Sequence, residues 1–262
     1  MEWLTAIILG LIQGLTEFIP ISSSGHLVIA QFILNAEPSH LFLEFINIGT
    51  MLALFVFFRK RIIQIIRDIF VNKNFRLARN IIITSVPAGI VGFFLADFIG
   101  AAAFFVSPVT VVFTLAIIGI VMVIVEKLPH ASAVEDGEKL SAPRALVIGV
   151  AQMLALIPGV SRSGATILAG RFSGLKPAQA AEYSFLASLP IMMGVTLKVL
   201  VGDTDYLVAN AGIMLVSNLA AFISGLLAVG FLMKCLARHS LAIFGWYRIG
   251  LSIVLATVLL VQ

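Results

Sequence analysis

Apolar stretches run almost from end to end of this chain, and they constrain its fold more than any other feature. They lie at 3–19, 27–34, 41–58, 81–99, 104–125, 145–157, 164–172, 183–201, 207–233 and 241–261. Several are long enough to cross a bilayer core, which takes about 20 helical residues. Of the 262 residues, 60% are hydrophobic and only 11% are charged, too few charges to cover a soluble domain. Because the stretches are continuously apolar rather than alternating, they predict an all-α integral membrane protein and disfavour a β-barrel.

Two of these stretches are interrupted in the same way. Residues 10–26 (GLIQGLTEFIPISSSGH) and 149–166 (GVAQMLALIPGVSRSGAT) each stop at Ile-Pro and then enter a Ser-rich turn that contains Gly. Unpaired backbone groups are costly in lipid, so such a break survives only where protein, water or a ligand satisfies them. We therefore predict two broken or re-entrant helical segments.

The two halves of the chain align at an offset of about 138 residues. The matches, in chain order, are Gln13 with Gln152, Ile19-Pro20 with Ile157-Pro158, Ser24-Gly25 with Ser163-Gly164, Glu44-Phe45 with Glu182-Tyr183, Asn80 with Asn218, and Val91-Gly92-Phe93 with Val229-Gly230-Phe231. Such an ordered series indicates an internal repeat. We predict a single membrane domain in which repeat one (1–125) and repeat two (145–262) are joined by a polar linker (126–144). Because paired broken helices commonly meet at mid-membrane, we predict a polytopic helical bundle of two inverted-topology repeats.

Basic residues cluster in one loop. Seven of the 17 Lys and Arg residues fall within 59–79. The positive-inside rule places this loop in the cytoplasm, and its charge favours contact with anionic membrane lipids over nucleic acid. Trp3, Trp246 and Tyr247 lie near the ends of apolar stretches, where interfacial aromatic belts are usual, and we expect no further role for them.

The two breaks have the chemistry of an anion site. A Ser/Gly turn that opens a helix presents backbone N–H groups and the positive end of the helix dipole. The second break adds Arg162, whose planar guanidinium pairs with two phosphate oxygens at once. The predicted ligand is a phosphate or pyrophosphate group, and simple helix capping is the alternative for the serines. The candidate binding residues are Ser22, Ser24, Gly25, Ser161, Arg162, Ser163, Gly164 and Thr166.

Glu17 brings the opposite charge to the first break. A carboxylate beside a phosphate repels it unless a cation lies between them, and Mg²⁺ or Ca²⁺ takes oxygen ligands of this kind. Gln13 lies one helical turn from Glu17 on the same face. We predict a divalent cation held by Glu17 and Gln13; for Gln13 the alternative is an interhelical hydrogen bond.

Ser23 and His26 are three residues apart at a predicted helix start, which is the minimal arrangement of a nucleophile and a base. His26 could take the serine proton, activate a water, or protonate the leaving phosphate. The spacing leaves the nucleophile open between Ser23 and water. Glu17, His26 and Arg162 are costly inside apolar stretches, so we predict catalytic roles for them together with Ser23. A structural or interfacial role is expected for Glu44 and Glu182.

These motifs resemble a known family. QGLTEF at 13–18 resembles the E/Q-x-x-x-E motif of undecaprenyl-diphosphate phosphatases of the bacitracin-resistance type, and PGVSRSGAT at 158–166 fits their P-G-x-S-R-S-x-x-T motif. The ISSSGH stretch, the EYSF run at 182–185 and the basic residues at 59–61 are also similar. Carried over, the acidic motif falls on Gln13 and Glu17. Gln13 stands where many relatives have Glu, so this motif brings one carboxylate to the site rather than two.

The resemblance implies an enzyme of the bacterial cytoplasmic membrane with an inverted-repeat fold. Such an enzyme removes the terminal phosphate of undecaprenyl pyrophosphate, recycles the lipid carrier for cell-wall synthesis, and confers bacitracin resistance. The resemblance further implies a divalent cation and an active site that opens to the outer face. The family's catalytic serine and histidine fall on Ser23 and His26, and its phosphate-binding arginine falls on Arg162.

Two other functions fit parts of the pattern. Inverted repeats with broken helices also describe secondary carriers, such as a flippase for the same lipid. Ser23 with His26 also fits an intramembrane serine hydrolase, which would need neither a cation nor Arg162. The sequence leaves the oligomeric state open, a homodimer included.

Overall fold

A computed structural model describes residues 2–95, 98, 107–128 and 134–261 of the chain. Most of these residues lie in helices. In chain order the helices are α1 (Trp3–Phe18), α2 (Ser23–Ile33), α3 (His40–Phe45), α4 (Asn47–Phe57), α5 (Arg59–Phe70), α6 (Arg76–Phe94), α7 (Pro108–Lys127), α8 (Ala142–Leu154), α9 (Arg162–Phe172), α10 (Pro177–Gly202), α11 (Thr204–Ala209), α12 (Ala211–Leu236) and α13 (Ala242–Val261). A one-turn 3₁₀ helix, Gly137–Lys139, lies between α7 and α8.

Among the residues that the structure describes, six helical segments are long and apolar enough to cross a membrane. They are His40–Phe57, which combines α3 and α4, and helices α6, α7, α10, α12 and α13. Within the described ranges the β structure is an isolated bridge between Val134 and Leu175. The prediction of an all-α, multi-pass membrane protein is confirmed.

The two interrupted stretches fold as pairs of short helices in mutual contact, α1 with α2 and α8 with α9, which we call the first and second hairpins. Helix α1 ends at Phe18 because Ile19 adopts the extended conformation (φ −66°, ψ 133°) that a following proline favours. Helix α8 ends earlier than its apolar pattern, at Leu154. There the backbone tightens, since the N–H of Ile157 donates to the carbonyl of Leu154 three residues back.

Each half of the chain packs its first helix against a helix of the other half. Helix α1 packs on α12 and helix α8 packs on α6. Both contacts run through glycine, because a Cβ at Gly10 would lie 2.3 Å from the Ser217 carbonyl oxygen and one at Gly149 would lie 2.8 Å from that of Thr84. The first helix of each predicted repeat therefore rests on the other repeat. The repeat boundaries at 1–125 and 145–262 stay a prediction.

The two hairpins belong to apolar clusters that reach the two ends of helix α10. Helix α10 crosses the bundle, so its two ends mark the two sides. Leu9 of the first hairpin shares an apolar cluster with Val199, near the end of α10. Ile167 of the second hairpin shares a cluster with Ala180, near the start of α10. This placement agrees with the inverted topology, which stays a prediction; Phe18 of the first hairpin also belongs to the cluster of Ala180.

The described part of the predicted linker binds repeat one. The Asn80 side chain donates to the carbonyl oxygens of Gly137 and Leu140, both at 2.9 Å. Helix α7 continues through Lys127 and α8 begins at Ala142, so both ends of the predicted linker are helical. Three parts of predicted features lie outside the described residues, namely 96–97 with 99, 104–106, and 129–133.

Candidate active site

The two breaks form the same turn. Ser22 and Ser161 precede α2 and α9 and have positive φ angles of 74° and 70°. Each hydroxyl caps its helix, accepting a hydrogen bond from the backbone N–H of Gly25 (3.3 Å) or Gly164 (3.2 Å). A positive φ is costly for a residue with a side chain, and residues under such strain cluster at functional sites. The N–H groups of Gly25 and Gly164 are therefore engaged by these caps.

The residues after these caps converge on one carboxylate. Arg162 donates from Nη2 to Oε1 of Glu17 at 2.5 Å, and the Ser23 hydroxyl donates to Oε2 of Glu17 at 2.7 Å. The ion pair is largely shielded from water, since the Arg162 and Glu17 side chains are 20% and 12% exposed. Ser23 and Arg162 begin α2 and α9, so both breaks meet at Glu17.

Two amides complete the surroundings of this carboxylate. Gln13 donates from Nε2 to Oε2 of Glu17 at 3.0 Å and to Oδ1 of Asn47 at 2.6 Å. The interhelical hydrogen bond that was the alternative for Gln13 is therefore present. Asn47 was not among the predicted site residues. The sequence signal that could have identified it is its position, because an amide side chain inside the apolar stretch 41–58 is costly unless it is hydrogen-bonded.

The oxygen atoms around Glu17 fit a particular kind of metal site. In the part of the chain that the structure describes, no three His, Cys, Asp or Glu residues group closely enough to hold a metal by themselves. Glu17 supplies one carboxylate and Asn47 one amide oxygen, whereas Gln13 directs its amide nitrogen toward both of them. This donor set suits Mg²⁺, which often uses one or two carboxylates and fills its shell with water and substrate phosphate.

His26 has its own partners. Its Nδ1 lies 2.7 Å from the carbonyl oxygen of Ser22, which can only accept, so Nδ1 carries the proton. Nε2 is then the acceptor for the Tyr247 hydroxyl, also at 2.7 Å. The hydrogen bonds therefore pair Ser23 with Glu17, and not with His26 as the spacing suggested. Tyr247, expected to be only an interfacial aromatic, belongs to the site.

Arg248 ties the two breaks together from α13. Its side chain is fully buried, and it donates to the carbonyl oxygens of Pro20 (3.3 Å) and Gly159 (2.5 Å). These two carbonyls lie in the turns of the first and second breaks. The sequence analysis missed Arg248, although a charge within the apolar stretch 241–261 carries the same cost that singled out Glu17.

The remaining predicted phosphate-binding residues brace the turns. Ser24 accepts from the backbone N–H of Gly159 at 3.2 Å, which joins one break to the other. The hydroxyl of Ser163 lies 3.4 Å from the Glu17 carbonyl oxygen. Thr166 donates to the carbonyl of Arg162 at 2.7 Å, so it is a satisfied helix hydroxyl. A contact with phosphate stays a prediction for this group.

Three successive residues of α10 connect the site to its surroundings. Glu182 accepts from Nε of Arg61 at 3.0 Å, which agrees with the structural role expected for it. The Tyr183 hydroxyl donates to the carbonyl oxygen of Asn80 at 2.9 Å. Ser184 hydrogen-bonds the Thr166 hydroxyl on α9. Of these three residues, Ser184 contacts the helix that begins with the site arginine, whereas Glu182 and Tyr183 tie α10 to α5 and α6. Glu44 lies apart in α3, paired with His40 at 3.5 Å.

Comparison with known proteins finds a family and relatives that match nearly the whole chain. The sequence model of the family described as Bacitracin resistance protein BacA matches residues 6–254. A protein of Nitrosospira multiformis named undecaprenyl-diphosphatase is 38% identical, over 97% of this chain and 95% of the relative. Proteins of the same name from Nitrosomonas europaea and Acinetobacter baumannii are each 36% identical, over 97% of this chain and 94% of the relative. The chain belongs to the bacitracin resistance protein BacA family.

Proposed function

We propose that this protein is an undecaprenyl-diphosphatase. It hydrolyses undecaprenyl pyrophosphate to undecaprenyl phosphate and inorganic phosphate, which recycles the lipid carrier for cell-wall synthesis and confers bacitracin resistance. The observation that carries the proposal is the meeting of both helix breaks at Glu17, through Ser23 and Arg162. The family and the name shared by its relatives support the same reaction.

The site chemistry follows from these contacts. Arg162 is the group that holds the terminal phosphate, because its guanidinium has further N–H donors besides the one that contacts Glu17. Phosphoryl transfer depends mainly on positioning the phosphate and on stabilising its charge. The guanidinium of Arg162, shielded from water, does both. When the substrate arrives, its phosphate competes with the Glu17 carboxylate for Arg162.

Glu17 is placed to act on the nucleophile. The Ser23 hydroxyl already points its proton at Oε2 of Glu17, so the carboxylate can accept that proton as Ser23 attacks the terminal phosphorus. The bond from that phosphorus to the bridging oxygen then breaks, and undecaprenyl phosphate leaves. Water releases the phosphate from Ser23 in a second step. In the alternative mechanism, water attacks directly and Ser23 only orients Glu17.

His26 is the second proton-transfer group. With its proton on Nδ1 held by Ser22, its Nε2 lone pair can take a proton from the attacking water once Tyr247 yields its hydrogen bond. The divalent cation is part of the proposal, with Glu17, Gln13 and Asn47 as the residues that would hold it; Gln13 would have to turn its amide oxygen toward the cation. When bound, it neutralises charge on the pyrophosphate.

The orientation in the membrane follows from charge. We call the end of the bundle where Arg61 of α5 meets Glu182 of α10 the basic end. Lys and Arg residues concentrate there, at Arg59, Lys60, Arg61, Arg67, Lys73, Arg76, Arg79, Lys127, Arg144, Lys176, Lys234 and Arg238. The opposite end carries acidic residues such as Glu37 and Asp203. By the positive-inside rule the basic end lies on the cytoplasmic side of a bacterial inner membrane. The first hairpin then enters from the outer face, toward which the site opens. A homodimer stays a prediction.

A detergent assay tests the function. Purified protein is supplied with undecaprenyl pyrophosphate in micelles, and released phosphate is measured for the parent protein, Glu17→Ala and a control, Glu44→Ala. We expect turnover by the parent and the control, and a loss of about 100-fold or more for Glu17→Ala. A flippase needs two compartments, so the absence of phosphate release in detergent, with lipid movement in liposomes, would overturn the proposal.

A further inference from the structure

Helix α5 presents an apolar stripe that no part of the described protein covers. Ile63, Ile66 and Phe70 are 64%, 50% and 70% exposed. They lie three and four residues apart, hence on one helical face. Polar and charged residues occupy much of the remaining surface, as in the segment RKRIIQIIRDIF. A stripe of this kind on the end of a membrane protein calls for an apolar surrounding.

The orientation of this stripe is set by contacts on the neighbouring face of α5. Ile62 and Ile65 pack against the main apolar core. Arg61 donates to Glu182 at 3.0 Å and to Gln64 at 3.0 Å. These contacts fix how helix α5 is rotated about its own axis. Ile63 and Ile66 therefore cannot turn toward the bundle. The stripe therefore faces away from the bundle.

The charge around the stripe identifies what it can face. Arg59, Lys60 and Arg67 are exposed on α5 itself, and Asp68 is the single acidic residue in the segment 59–79. The helix has 12 residues, about 18 Å in length, which is too short to span a bilayer. It is joined on both sides to helices that do span, since α4 ends at Phe57 and α6 begins at Arg76.

We propose that α5 is an interfacial helix that binds the anionic phospholipid surface at the basic end. The apolar stripe (Ile63, Ile66 and Phe70) enters the boundary between headgroups and acyl chains, and the flanking cations contact lipid phosphates. Amphipathic helices with a basic polar face bind membranes in this way, and their binding depends on anionic lipid. Lys60 and Arg67 lie along one edge of the stripe and Arg59 lies in line with it, and a water-soluble protein or a second copy of the chain would not require these cations.

The test measures which lipid touches the stripe in the full-length protein. Ile66→Cys is made in a Cys235→Ser background, labelled with a bimane fluorophore, and reconstituted in phosphatidylcholine nanodiscs. A minor fraction of either brominated phosphatidylglycerol or brominated phosphatidylcholine is then included as the quencher. We expect the anionic lipid to quench about twofold or more strongly than the zwitterionic one. The control label at Leu215, which is 71% exposed on the membrane-spanning helix α12, should show no such preference.

Charge variants separate the two parts of the proposal. Combined Arg59→Gln, Lys60→Gln and Arg67→Gln should bring the quenching ratio to about one while quenching itself persists. The matched control Lys234→Gln, at the same end but on α12, should keep the preference. Equal quenching by both lipids in the parent protein, or quenching at Ile66 only by aqueous iodide, overturns the proposal. Protection from every quencher would show that protein covers the stripe, which also overturns it.

Discussion

The ion pair between Glu17 and Arg162 leads to the sharpest prediction. Its atoms are 2.5 Å apart and its side chains are only 20% and 12% exposed, so little water remains to solvate either charge. Removing one partner of a buried pair typically costs about 3–5 kcal/mol, because the other charge is left unpaired. Ser23 and Gln13 still donate to Oε2 of Glu17. We therefore expect Arg162→Ala to lower the free energy of unfolding by about 3 kcal/mol, the lower limit of that range. This corresponds to roughly 100-fold in the unfolding equilibrium constant.

A double-mutant cycle isolates this interaction. Unfolding free energies are measured by denaturant titration in detergent for Arg162→Ala, Glu17→Gln and the double variant. Glu17→Gln removes the charge that Arg162 neutralises. Adding Arg162→Ala to Glu17→Gln should therefore lower the free energy of unfolding only a little further. We expect a coupling free energy of about 2 kcal/mol or more.

The pair Arg61–Glu182 is the matched control for this cycle. It has the same kinds of residue and a 3.0 Å contact, but its side chains are 22% and 35% exposed. Because Glu182 is nearly three times as exposed as Glu17 and solvent weakens an ion pair, the coupling there should be smaller. Additive effects of Glu17→Gln and Arg162→Ala, within about 0.5 kcal/mol, would show that the two side chains do not meet and would refute the site geometry.

Four further predictions concern turnover, measured as phosphate release in detergent. Ser23→Ala should lower kcat by about 100-fold if Ser23 is the nucleophile, and near-normal turnover would assign attack to water. Tyr247→Phe removes the hydroxyl that orients His26, so we expect kcat to fall about tenfold with KM nearly unchanged; the neighbouring control Trp246→Phe should keep kcat, and an equal loss in both variants would contradict the role of the hydroxyl. Excess EDTA should abolish phosphate release and Mg²⁺ should restore it, and Gln13→Glu should retain activity; turnover that persists in EDTA would contradict a cation requirement and favour an intramembrane serine hydrolase.

Much of this protein could be inferred from local pattern. Continuous apolar stretches predicted the helical membrane class, since the cost of burying peptide groups in lipid leaves few alternatives. The Ile19-Pro20 step predicted the end of α1, because proline restricts the residue before it and cannot donate a hydrogen bond. The cost of a charge in an apolar stretch singled out Glu17 and Arg162, and the structure brings these two together.

The partners of the site residues were decided by packing. Spacing placed Ser23 beside His26, but the fold gives Ser23 to Glu17 and gives His26 to Tyr247, 221 residues further along the chain. Arg248 reaches the carbonyl of Pro20 across 228 residues of sequence. Helix propensity and the cost of desolvating a charge act over a few neighbouring residues, so they can be recognised in the sequence. Which distant helix faces a side chain depends on how the whole bundle closes, and that is set only by tertiary contacts such as those of α13 with both breaks.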